Sequence, residues 1–128
     1  MNPPLKRFLE EVRQDPAVLA VILFGSRARH EDTQASDTDL CLVLRSGKDG
    51  PENQMTVRMH YLKYDDLDIR IFQQLPLYVR QRVLKEGEVL LCDDLDALYA
   101  VAYRTVQAFE HFKPAYRRYL EEVAHGRS

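Results

Sequence analysis

The chain has 128 residues, 18 basic against 20 acidic for a net charge of -2, with 45% hydrophobic and 30% charged residues. That size and balance predict one globular domain over 1–128 and exclude a disordered chain or a strongly basic duplex-binding surface, so no direct DNA binding is expected. No apolar run reaches the length of a membrane span and the N-terminus lacks the hydrophobic segment of a signal peptide, so a cytoplasmic protein with no membrane partner is expected.

Taken in chain order, Leu5, Phe8, Leu9 and Val12 fall at helical spacing behind Pro3-Pro4, and Asp15-Pro16 ends that helix. Val18 to Phe24 is a run of branched apolar residues and reads as a buried strand. Gly25-Ser26 turns the chain, with Ser26 placed to cap a short helix through Arg27, Ala28 and Arg29. His30 to Ser36 is polar and predicts a loop. Thr38 to Leu44 predicts a second strand, pairing with the first. Residues 53–63 fit either a helix, through Met55, Met59 and Leu62, or a strand, through Met55, Val57, Met59 and Tyr61, and the helix is preferred. Leu67 to Phe72 alternates, with Leu67, Ile69 and Ile71 on one face and Asp66, Asp68 and Arg70 on the other.

Pro76 opens a helix that Gly87 closes, and Glu88 to Cys92 is a short apolar segment with strand character. Asp93-Asp94 caps a long amphipathic helix, which Pro114 is expected to break or kink, leaving a last helix with Tyr116, Tyr119, Leu120 and Val123. Most of Tyr99, Tyr103, Phe109, Phe112, Tyr116 and Tyr119 are expected in the core, and any left exposed would suit a helical partner or a second copy of the chain. Arg80, Arg82 and Lys85 form a basic helix face read as solvated surface. Cys41 and Cys92 read as reduced, buried thiols. The order of elements predicts an α/β (α+β) domain: a small mixed sheet flanked by helices, with a core over 1–92 and a helical extension over 93–125.

The chemistry concentrates at Gly25-Ser26 and, ten residues further, Asp37-Thr38-Asp39. Gly lets a phosphate approach the backbone, and amides at a helix start with the Ser26 hydroxyl can bind phosphate oxygens. Arg27 and Arg29 add charge with a geometry suited to phosphate. Asp37 and Asp39 on an extended strand project from one face, with α-carbons roughly 7 Å apart, and can bracket a divalent cation. Asp68 is the third acid of the expected cluster, with Asp65 and Asp66 as alternatives; an ordinary salt bridge to Arg70 would also account for it. Three such carboxylates predict Mg²⁺, with two ions dividing the work between the attacking hydroxyl and the leaving pyrophosphate. Arg70 is a weaker candidate for contact with nucleotide or substrate. Ser26 has no histidine partner in sequence, which argues against nucleophilic serine chemistry.

At these residues the chain resembles the nucleotidyltransferase superfamily typified by DNA polymerase beta and kanamycin nucleotidyltransferase. The shared pattern is Gly25, Ser26, Asp37, Asp39 and then Asp68, and the segment Leu67-Asp68-Ile69-Arg70-Ile71 favours Asp68 over Asp66. Within the superfamily it is most similar to the minimal nucleotidyltransferases, the MNT or MntA-like antitoxins, through Arg80 to Gly87 and into the aromatic C-terminal helix. His30 departs from relatives, which often carry Gly there. The resemblance implies a polymerase beta palm-like fold, Mg²⁺, ATP as substrate and a small helical HEPN toxin as partner, in a hetero-oligomer or alongside a homodimer. It also implies transfer of AMP to a tyrosine hydroxyl of that RNase toxin. The alternatives are an antitoxin that neutralises its partner by binding alone, and a small-molecule nucleotidyltransferase of the antibiotic-modifying kind.

Overall fold

The structure is a computed structural model that describes residues 3–25 and 38–126. The expected Ser26 cap, the short helix to Arg29 and the His30–Ser36 loop lie outside the described residues. Helix α1 (Pro3–Arg13) leads into β1 (Val18–Phe24). Strand β2 (Thr38–Leu44) is followed by α2 (Pro51–His60), a 3₁₀ turn over Tyr61–Lys63, and β3 (Leu67–Ile71). A second 3₁₀ turn, Phe72–Gln74, precedes α3 (Leu77–Glu86), β4 (Glu88–Cys92) and the 30-residue α4 (Leu95–Ala124). Residues 53–63 are therefore helical. Their single buried α2 position, Val57, together with Tyr61 at the following turn, gave the sequence too little apolar periodicity to decide alone.

The described residues form a four-stranded sheet in the order β3-β2-β1-β4. Strand β1 runs antiparallel to both β2 and β4, and β2 runs parallel to β3. The sheet is mixed, as expected. Alternation along β2 divides the core into two halves. Leu40, Leu42 and Leu44 join Phe8, Leu9 and Val12 of α1 with Val57, Tyr61, Ile69 and Ile71 on one side. Cys41 and Val43 join Phe72, Val83, Leu98 and Val101 under α3 and α4 on the other. All five of these β2 side chains are fully buried, so truncating Leu42 to Ala would cost about 2–5 kcal/mol. Gly87 seats the end of α3 on β1: a Cβ there would lie 2.5 Å from Ile22 and 2.6 Å from the Val83 carbonyl.

Three expectations need correction. Pro114 does not end α4, which runs unbroken from Leu95 to Ala124. The missing N–H removes one bond from a long helix, and rings bridge the position: Tyr116 stacks on Phe112 with centroids 5.4 Å apart and on Tyr78 of α3 at 5.3 Å. The α4 aromatics are mostly not core. Phe109 is buried, but Tyr99, Tyr103 and Tyr119 are each at least 60% exposed, Phe112 is 37% exposed, and Tyr116 is half-buried. The buried stripe of Leu98, Val101, Thr105 and Phe109 continues along the same helix face as Phe112, Tyr116 and Val123, but of these Leu98 and Val101 are the ones that join the core cluster against the sheet. Cys41 is fully buried, and burial pushes its thiol far above the ordinary range, whereas Cys92 is only half-buried. Both are free thiols. Among the described residues no helix is long and apolar enough to cross a membrane.

Candidate functional site

Strand pairing places the acids. Phe24, the last residue of β1, pairs with Asp39 of β2, and Asp39 pairs in parallel register with Asp68 of β3. Directly paired residues on parallel neighbours project to the same face, with backbones about 4.8 Å apart. Asp39 and Asp68 therefore stand side by side at the end of the sheet where β1 finishes. Their face is that of Cys41 and Val43, beneath α3 and α4. Ile69 and its neighbours at alternate positions go to the opposite core, which leaves Asp68 and Arg70 together on the acid face.

Gly25 closes β1 against this pair. Its φ is +83°, a conformation that other residues adopt at a cost, and a Cβ on it would sit 2.3 Å from Oδ2 of Asp39. Glycine is thus required twice at one position, for the turn and for the close approach of the carboxylate. Arg70 donates to both oxygens of Asp68, from Nε at 3.3 Å and from a terminal nitrogen at 3.4 Å. These are long contacts between an exposed arginine and a half-buried aspartate and hold Asp68 only loosely. Asp66 lies before β3 and is exposed, so the register singles out Asp68 as the acid beside Asp39.

Beside Gly25 lies a cleft of about 190 Å³, lined by Phe24, Gly25, Val79, Arg82, Val83 and Glu86. The last four fall at positions i, i+3, i+4 and i+7 of α3, so one helix face forms the wall opposite the β1 turn. The basic face read as solvated surface therefore divides. Arg80 turns away, its Nε donating to the Leu75 carbonyl at 3.0 Å, while Arg82 lines the cleft. Arg82 is exposed, as read from sequence, and its spacing from Val79 and Val83 puts it on the helix face that lines the cleft.

The predicted phosphate and metal set is only partly within view. Gly25, Asp39 and Asp68 come together, whereas Ser26, Arg27, Arg29, His30 and Asp37 lie outside the described residues. Among the described residues no group of three His, Cys, Asp or Glu side chains is arranged to hold a metal ion. Asp39 and Asp68 nonetheless supply two hard oxygen donors at adjacent register positions, a donor set that suits Mg²⁺.

Residues 6–96 match the family model described as Polymerase beta, Nucleotidyltransferase. A Methanocaldococcus jannaschii protein named as a protein adenylyltransferase, MJ1547, is 33% identical over 79 residues. That match takes in 62% of this chain and 60% of the relative's length. In structure the chain is similar to one from a toxin-antitoxin crystal structure with AMP-PNP. The TM-score is 0.72 at 16% identity, covering 96% of this chain and 99% of that one. It is also similar to a chain from the complex of a tri-AMPylated Shewanella oneidensis HEPN toxin with its MNT antitoxin. There the TM-score is 0.66 at 15% identity, with 94% and 96% covered. At these identities the likeness is one of fold.

Proposed function

The chain belongs to the Polymerase beta, Nucleotidyltransferase family, and from that premise we propose that it is a Mg²⁺-dependent adenylyltransferase. It moves AMP from ATP to a tyrosine hydroxyl of a helical HEPN-type toxin and so acts as an antitoxin. The observation that carries the chemistry is the register of Asp39 and Asp68, with the Asp39 carboxylate lying against Gly25. The MJ1547 relative supports the choice of a protein acceptor, and the HEPN–MNT complex among structures of the same fold supports the partner.

In this reading Gly25 and Ser26 hold the triphosphate, and Arg27 and Arg29 add positive charge. Asp37, Asp39 and Asp68 are the metal-binding acids, and bound Mg²⁺ would neutralise charge on the polyphosphate. Asp68, half-exposed and loosely held by Arg70, orients the acceptor hydroxyl and takes its proton. The hydroxyl oxygen bonds to the α-phosphorus in line as the bond to the bridging oxygen breaks, and pyrophosphate leaves with that electron pair. The protein contributes mainly position and charge.

The test is to incubate the chain with ATP, Mg²⁺ and the HEPN partner and to read intact mass. Wild type should add one or more AMP units to a partner tyrosine, and the Asp39→Asn, Asp68→Asn double variant should add none. Neutralisation of the toxin by that variant without transfer would identify an antitoxin that acts by binding alone, and no transfer by the wild type would reject the enzyme reading.

A further inference from the structure

We propose that Arg82 is a binding residue for the terminal phosphates of the nucleotide, held by Glu86 until the nucleotide arrives. This rests on the nucleotide reading above and adds to it a residue from α3, outside the glycine-serine and aspartate motifs. Arg82 lines the same cleft as Gly25, the turn at which backbone can approach phosphate most closely. The other walls, Phe24, Val79 and Val83, are apolar and offer a polyphosphate no charge. Arg82 is the cation among the described residues that line this cleft.

Glu86, one turn along α3, also lines the cleft, and its Oε1 lies 3.7 Å from an Arg82 terminal nitrogen. The pair is long, and its side chains are 62% and 40% exposed. Ion pairs of this kind are weak and screened by water. A polyphosphate carries several negative charges and can accept two parallel hydrogen bonds from a guanidinium, so it outcompetes one distant carboxylate. Arg82 need only rotate its flexible stem to make the exchange, because its backbone is fixed by the helix and by the seat of Gly87 on β1. Glu86 would otherwise repel the phosphates, and Arg82 lies at its side to offset that charge.

Isothermal titration of ATP, pyrophosphate and AMP, each with Mg²⁺, separates the roles. Arg82→Gln should weaken ATP and pyrophosphate about tenfold or more and leave AMP within about twofold. Glu86→Gln should tighten ATP and pyrophosphate severalfold by removing the competing charge. Both side chains are exposed, so the melting temperature should hold in each variant. Unchanged ATP affinity in Arg82→Gln, or an equal loss for AMP, would overturn the assignment. A wild-type chain that binds none of the three would overturn the nucleotide reading itself and this proposal with it.

Discussion

Glu11 on α1 and Asp68 on β3 are both half-buried carboxylates, yet the fold treats them differently. Glu11 accepts hydrogen bonds from the Tyr64 hydroxyl and Lys63 Nζ and contacts the His60 ring, all from the end of α2 and the turn after it. The Tyr64 hydrogen bond is the largest cause holding the Glu11 carboxyl at about 2, with burial opposing and Lys63 and His60 adding to it. Burial, and then Glu11, pushes the Tyr64 phenol up to about 12. Nearby, Tyr61 donates to Asp15 at 2.7 Å, tying the same turn to the end of α1. Asp68 has two long contacts to one exposed arginine, and stands in register with Asp39. A carboxylate enclosed by protein donors fastens one element to another. A carboxylate set in register beside a second acid and held by long contacts to one arginine is placed to take a ligand.

Substitutions at the two places should separate along that line. The largest effect is expected at the acid pair. Replacing Asp39 or Asp68 by Asn should cut AMP transfer by at least about 100-fold while leaving thermal stability near wild type. A collapse of the fold instead would make these acids structural, like Glu11. Gly25→Ala comes next, because the added Cβ must displace the Asp39 carboxylate and the turn must hold a positive φ. A loss of about 1–2 kcal/mol in stability and a clear fall in transfer are expected together, read by denaturant melts and the mass assay.

Glu11→Gln should do the reverse, lowering stability by about 1–3 kcal/mol with transfer unchanged. Its pH signature follows from the sign of the shift. The Glu11 carboxyl is lowered from 4.5 to about 2 in the folded state, so its contribution is complete above about pH 4.5 and is lost as pH falls toward 2. Melting curves of the variant should therefore be flatter than wild type across that acid range. The smallest effect belongs to Tyr119→Ser on the exposed tail of α4, within about 0.5 kcal/mol for the chain alone.

The same contrast marks what could be read from sequence. Strand and helix positions followed from periodicity, because burial on one face leaves a period of two or near 3.6 in the chain. The motif residues were legible because Gly25 and Asp39 belong to a compact local pattern. Asp68 was expected beside Asp39 as the third acid, but its exact register was not legible, since register is fixed by which strands become neighbours. Arg82 read as solvated surface and is exposed, yet a helix pattern shows which residues share a face, not the cleft that stands opposite. On α4 the apolar stripe identified the face but could not show that the core cluster takes in only its first turns, so most of the aromatics were expected inside. Pro114 misled because propensity describes an isolated helix, and stacked rings carry this one across the gap.

The central claim is that Asp39 and Asp68 jointly receive a divalent cation with its nucleotide. Titrating Mn²⁺ in the presence of ATP, followed by electron paramagnetic resonance, tests it without any acceptor protein. Wild type should bind the Mn²⁺–ATP complex, and the Asp39→Asn, Asp68→Asn double variant should bind it at least about tenfold more weakly with its circular dichroism unchanged. Equal affinity in a correctly folded double variant would contradict the account.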